Sequence, residues 1–199
     1  MSIVEENHEN DLVNRIKEFQ ESYYSKNKKN VFFKKNQKLD CATEVCNAFP
    51  LEYLISQSIY GIPNTNKIFF DYTIFKLFAN KNNFSQIVDN IFILLKKSFD
   101  SFESYELYIN LDSFTVSALE RYKEVIKEFV DRCITYDTKY ADKMKQLYIC
   151  NVPKTFDAII KGIKPFMEKS VYEKLKLCDD NASEQAIKLF HSYRDSMTS

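Results

Sequence analysis

The stretch Lys145–Leu177, KQLYICNVPKTFDAIIKGIKPFMEKSVYEKLKL, decides the fold. It opens with the apolar run Leu147-Tyr148-Ile149-Cys150, which reads as a strand, and Asn151-Val152-Pro153 breaks that run. From Phe156 the period changes. Ile159, Ile160, Ile163, Phe166 and Met167 follow at spacings that place every large apolar side chain on one helical face. Lys154, Lys161 and Lys164 fall elsewhere on the wheel. Pro165 closes or kinks the pattern, because proline supplies no N–H to the preceding turn. Val171–Leu177 then reads as a second extended stretch.

Outward from this stretch the same alternation continues. Lys67–Phe78 (KIFFDYTIFKLF) reads as a long strand after the turn Asn64-Thr65-Asn66. Phe84, Ile87, Val88, Ile91 and Leu95 mark an amphipathic helix, and Tyr105–Leu111 (YELYINL) a strand. Ala118, Tyr122, Val125, Ile126, Phe129, Val130 and Cys133 give the cleanest helical stripe. Before residue 63 the chain reads as helical, over 11–24 and over 40–60 with a break near Pro50, and a final helix runs from about Ala182 to Tyr193. Helical crossovers between strands predict an α/β fold with a mainly parallel mixed sheet covered by helices. The expected organisation is a helical N-terminal segment over 1–62 and an α/β domain over 63–199. One strand departs from the usual pattern. Buried parallel strands read as continuous apolar runs, yet Tyr105-Glu106-Leu107-Tyr108-Ile109-Asn110-Leu111 alternates, so one face of the sheet is expected to line something other than a close-packed helix layer.

Strand, Asn-x-Pro turn, apolar helix, Lys-Pro-Phe and strand, in that order, resemble the core of the CRAL-TRIO lipid-binding domain of phosphatidylinositol and phosphatidylcholine transfer proteins. Tyr105–Leu111 also resembles the family strand before its usual Asp-Leu-x-Gly, which reads here Asn110-Leu111-Asp112-Ser113. The resemblance runs over about residues 67–177. It implies that the sheet is the floor of a lipid cavity and that the helix over 154–167 is a gate above it. Phe156, Ile159, Ile160, Ile163 and Phe166 would then face the lipid, although such stripes also serve as ordinary core. The family's phosphatidylinositol contacts fall on Asp142 and Lys174, where a lysine would hold the phosphate and a carboxylate the inositol hydroxyls. Its phosphatidylcholine-type hydroxyls fall on Thr115 and Ser117, and Thr115 is equally placed to cap the next helix. The family's N-terminal helical tripod is reduced here, its glycine after the second strand is replaced by Ser113, and its closing Gly-Gly is missing.

Composition narrows the chemistry. The 199 residues carry 28 basic and 28 acidic side chains and no net charge, against a dedicated nucleic-acid binder. Glycine occurs only at Gly61 and Gly162, so a dinucleotide fingerprint, a P-loop and a nucleophile elbow cannot be written. Five scattered cysteines show no zinc spacing and read as reduced thiols. The two histidines, His8 and His191, stand at opposite ends and read as solvated, so no catalytic residue, metal or cofactor is expected. The start of the chain is acidic and polar, unlike a signal peptide, and no stretch reaches the ~18 apolar residues of a membrane span. The basic, aromatic stretch with Lys28, Lys29, Phe32, Phe33, Lys34 and Lys35 reads either as a membrane-docking segment or as a solvated linker. The expectation is a cytoplasmic, non-enzymatic phospholipid carrier that touches membranes transiently. The alternative is a lipid-free scaffold of the same fold that binds a protein partner.

Overall fold

Among the described residues of the computed structural model (7–27, 34–135 and 140–197), five strands form one sheet in the order β1-β2-β3-β4-β5. They are β1 (Ile59–Gly61), β2 (Lys67–Asp71), β3 (Tyr105–Asn110), β4 (Met144–Cys150) and β5 (Leu175–Leu177). Only the β1–β2 pair is antiparallel. The helices before and between them are α1 (Asn7–Lys26), α2 (Lys34–Ala48), α3 (Leu51–Ser58), α4 (Tyr72–Phe78), α5 (Phe84–Phe102), α6 (Val116–Thr135) and α7 (Tyr140–Lys143). After β4 come α8 (Phe156–Ile163), a 3₁₀ turn (Lys164–Phe166) and α9 (Lys169–Glu173), and after β5 comes α10 (Asp180–Met197). The class is mixed α/β with a mainly parallel sheet, as the alternation of periods predicts. Strand β1 precedes the expected boundary at residue 62 and is nonetheless part of the sheet.

Two extended stretches are shorter than their sequence suggests. Lys67–Phe78 is not one strand, because Asp71 ends β2 and caps α4: its Oδ1 accepts from the Thr73 N–H at 2.9 Å and the Thr73 hydroxyl at 2.6 Å. Val171–Leu177 begins as the helical turn α9, and only Leu175–Leu177 pairs with β4. The Asn151-Val152-Pro153 break is a real turn, with Asn151 in the left-handed region at φ 50°. Ser113, where a glycine would carry no strain, sits there too at φ 61°.

The two faces of the sheet are covered differently. On one face Ile68, Phe70, Tyr105, Leu107, Ile109, Leu147 and Ile149 point toward α4, α5, α6 and α8. On the other, α10 presents Phe190, whose ring stacks on Phe69 at 4.5 Å and lies 5.0 Å from Tyr108. Tyr108 stacks in turn on Tyr148 at 4.4 Å. This explains the alternation of β3: Glu106, Tyr108 and Asn110 belong to the face under α10. The N-terminal helices join the main core through Leu12, Ile16, Leu39, Val45, Leu54 and Ile55, and Arg194 of α10 donates to the Gln57 carbonyl of α3 at 3.4 Å.

Candidate lipid-binding cavity

Between the sheet and the helices above it lies a cavity of about 270 Å³. Its floor is the strand face just described, and its walls come from α4, α5 and α6. The α6 wall is the stripe read from sequence, with Val125, Ile126, Phe129, Val130 and Cys133 turned inward. Its lid is α8. Phe156, Ile159, Ile160 and Ile163 line the space, and the lid continues through Met167 and Glu168 to Val171. Because α8 follows the C-terminal end of β4, it runs back along the sheet toward the N-terminal edge of the strands.

The lining is apolar with one charged exception, Glu168. The tyrosine hydroxyls among the lining residues are engaged elsewhere. Tyr105 donates to the Tyr140 carbonyl at 2.9 Å, Tyr122 to the Lys76 carbonyl at 3.4 Å, and Tyr72 interacts with Arg121. Burial raises the pKa of all three phenols, so they stay neutral. Burial likewise pushes the Cys133 thiol up to about 12, helped by the charge on Glu168. Such a surface can solvate hydrocarbon.

The two ends of the cavity differ. At the C-terminal edge of the sheet it is closed by the buried residues Tyr72, Leu111, Phe114 and Tyr122. At the N-terminal edge Ile134 lines it while 57% exposed, beside Ala141, Glu168 and Leu175. The mouth is therefore at the N-terminal edge.

The headgroup candidates fall at opposite ends. Asp142 and Lys174 each precede a strand, β4 and β5, and flank the mouth through their neighbours Ala141 and Leu175, though neither lines the cavity. Lys174 Nζ donates to the Ala141 carbonyl at 2.8 Å and to the Asp142 carbonyl at 3.3 Å, and the Asp142 side chain is exposed. Thr115 and Ser117 follow β3 at the closed end, exposed and outside the lining. Strands of this length separate the two sets by ~17–20 Å, so they cannot hold one headgroup. Thr115 Oγ1 accepts from the Ala118 N–H at 3.2 Å, which is the capping role. Phe166 turns away from the cavity into a shallow crevice with Leu119, Lys123 and Gly162. Lys28, Lys29, Phe32 and Phe33 lie outside the described residues, and Lys34 and Lys35 open α2.

His191 is half-buried and partnered, where its reading from sequence is a solvated side chain. Its Nε2 lies 3.3 Å from Oδ2 of Asp71, a carboxylate 0% exposed that also accepts from Asn110 Nδ2 at 3.1 Å. Burial alone would raise the Asp71 pKa. The bonds from His191 and Thr73 outweigh it and hold the carboxyl below its ordinary value. The cluster continues through Asn151, whose side-chain amide donates to Asn110 Oδ1 at 3.0 Å and whose backbone N–H donates to Ser183 Oγ, also at 3.0 Å. It fastens α10 to the strand ends on the face opposite the cavity.

A scan against family descriptions matches residues 80–194 to the CRAL/TRIO domain, more than half of the chain. The chain belongs to the CRAL/TRIO family. CRAL/TRIO domains bind small lipophilic ligands, and the cavity described above is the part of this CRAL/TRIO chain with the matching chemistry. The match covers the strands β3, β4 and β5 and the whole lid. A comparison with curated proteins finds no match. Among the described residues of this CRAL/TRIO chain no helix is long and apolar enough to cross a membrane, and no group of three His, Cys, Asp or Glu side chains is placed to hold a metal.

Proposed function

We propose that this CRAL/TRIO chain binds a membrane lipid without catalysis and exchanges it between bilayers from the cytoplasm, as a peripheral, transient visitor to the membrane. The observation that carries the reading is the apolar cavity under a lid that is itself amphipathic. Leaving a bilayer costs a lipid ~0.8 kcal/mol per exposed CH₂, and this lining offers hydrocarbon an equivalent home. The lid lifts on contact with a membrane, where Phe156, Ile159, Ile160 and Ile163 find lipid in place of the cavity. The proposed cargo is of phosphatidylinositol or phosphatidylcholine type, with its head at the mouth, where Lys174 can leave the two carbonyls it bonds and meet a phosphate beside Asp142.

A second reading has its own support. About 270 Å³ lies just under the ~300 Å³ lower end for small-molecule sites, and the charged side chain on the lining is an acid. Both features favour a smaller lipophile with a hydroxyl or amine end placed at Glu168. Native mass spectrometry of the purified protein, with extraction and identification of what it carries, tests both. A stoichiometric phospholipid supports the first and a single-tailed or isoprenoid alcohol the second. A bare mass, unchanged by incubation with mixed liposomes, refutes both and leaves a lipid-free scaffold for a protein partner.

A further inference from the structure

Strand β4 ends on Cys150, fully buried, and β5 is followed at once by the half-buried Cys178. The register Ile149↔Leu177 continues through the bond from the Cys178 N–H to the Ile149 carbonyl at 2.9 Å. The two cysteines are thus facing neighbours on adjacent parallel strands, and their sulfurs lie 3.8 Å apart. Neighbouring strands run ~4.8 Å apart, within the Cα separations of about 4.4–6.8 Å that a disulfide spans. Rotation of two side chains is enough to bring the sulfurs together. What lies between them gives the pair its meaning. The 27 residues Asn151–Leu177 carry α8, the 3₁₀ turn and α9, which is the entire lid, together with its return strand β5.

We propose that Cys150 and Cys178 are a dithiol that a hydroperoxide oxidises to an intramolecular disulfide, closing the lid segment into a covalent loop. The partly exposed Cys178 sulfur attacks the peroxide oxygen, the O–O bond breaks, and the alcohol (water, for hydrogen peroxide) departs with a proton. The Cys150 sulfur then attacks the resulting sulfenic acid at sulfur, and hydroxide leaves as water with the Cys150 proton. In sum, two thiols and one hydroperoxide give one disulfide, one alcohol and one water. Burial pushes the Cys150 thiol up to about 12, which shields it from direct oxidation and leaves the partly exposed Cys178 as the sulfur that meets the peroxide first. The remaining three cysteines are placed for other things: Cys41 is buried against Tyr24, Cys46 is hydrogen-bonded with the Phe78 carbonyl and Asn83, and Cys133 faces the cavity.

The bond would fix an edge strand of only three residues, β5, to the sheet. With its two ends joined, the segment that carries α8 can lift only as a closed loop, and its opening is restrained. This effect on exchange rests on the exchange reading above, whereas the disulfide itself does not.

The full-length reduced protein is titrated with hydrogen peroxide and followed by intact mass and non-reducing peptide mapping. Expected is a loss of two hydrogens and a cross-linked peptide joining Cys150 to Cys178, both prevented by Cys178→Ser, a change at a half-buried site that keeps the fold. Addition of oxygen to Cys178 without a cross-link, or the same loss of two hydrogens in Cys178→Ser, overturns the proposal. Transfer of a fluorescent phosphatidylcholine between vesicles is then compared in the two redox states. The disulfide form is expected to transfer at least tenfold more slowly, with full recovery in dithiothreitol. Equal rates with the disulfide formed overturn the locking of the lid and leave exchange intact. No transfer in either state counts against the exchange reading, while the mass map still decides the disulfide.

Discussion

Replacing Ile159 by alanine asks whether the lid opens as a unit of its own. Ile159 is 1% exposed and is the buried residue of α8, while Phe156, Ile160 and Ile163 are half-buried. Lifting α8 into water therefore exposes about one full side chain and three halves, ~5 kcal/mol at 1.5–3 kcal/mol per full burial. At that cost about one molecule in several thousand is open at any moment. Ile159 borders space that is already empty, so truncation to alanine loses near the low end of the usual range, ~2 kcal/mol. The open fraction should rise about 30-fold, and the thermal midpoint should fall by ~4–8 °C. Native-state hydrogen exchange reads the opening directly. Amides of α8 should report ~5 kcal/mol in the parent and ~3 kcal/mol in the variant, with β3 and β4 better protected in both proteins. If α8 amides share the protection of β3 and β4 in both, the helix moves only with global unfolding and the lid argument fails.

Other variants separate the remaining claims. Lys174→Ala removes the bonds to Ala141 and Asp142 and should cost ~1 kcal/mol, seen as a fall of ~2–4 °C in the thermal midpoint, together with weaker phosphatidylinositol uptake. Unaltered uptake would remove Lys174 from the headgroup site. Leu107→Phe on the cavity floor should cut lipophile uptake more than tenfold with stability held within ~1 kcal/mol, since the extra ring enters empty space; a large destabilisation would mean that the space is not there. Asp71 has a folded-state pKa below its unfolded value, so its stabilisation is complete above the unfolded value near 3.9 and drains away as pH falls through the lower folded one. Acid unfolding of Asp71→Asn should therefore lack that part of the slope, at a cost near neutrality of ~1–3 kcal/mol for the lost bonds.

The parts legible in the sequence are those whose signal is local. The lid, α5 and α6 each bury a single stripe, so their period shows without knowledge of a partner. The alternation of β3 also carried real information, since Tyr105, Leu107 and Ile109 line the cavity. Helix α4 was hidden because Lys67–Phe78 is apolar almost throughout, and such a run has no period to separate helix from strand. The one available signal was Asp71 two residues before Thr73, a capping pattern inside an apolar run. The contacts made by His191 had no such signal, because its partner Asp71 is 120 residues away. The engagement of Lys174 with the carbonyls of Ala141 and Asp142 likewise depends on α7 and α9 meeting, which spacing alone does not encode.

The aromatic stack of Phe190 on Phe69, with Tyr108 and Tyr148 beside it, makes the container rigid on one side only. Side chains from two successive β2 residues, Phe69 and Phe70, serve opposite masters: one is clamped by a helix, the other faces empty space. Any swelling to admit a larger guest must then come from the roof, and the roof is a segment tied to the sheet at its two ends. The capacity of the vessel is thus written in thirty or so residues between β4 and α10. Changes there can alter what is carried while the rest of the molecule stays as it is.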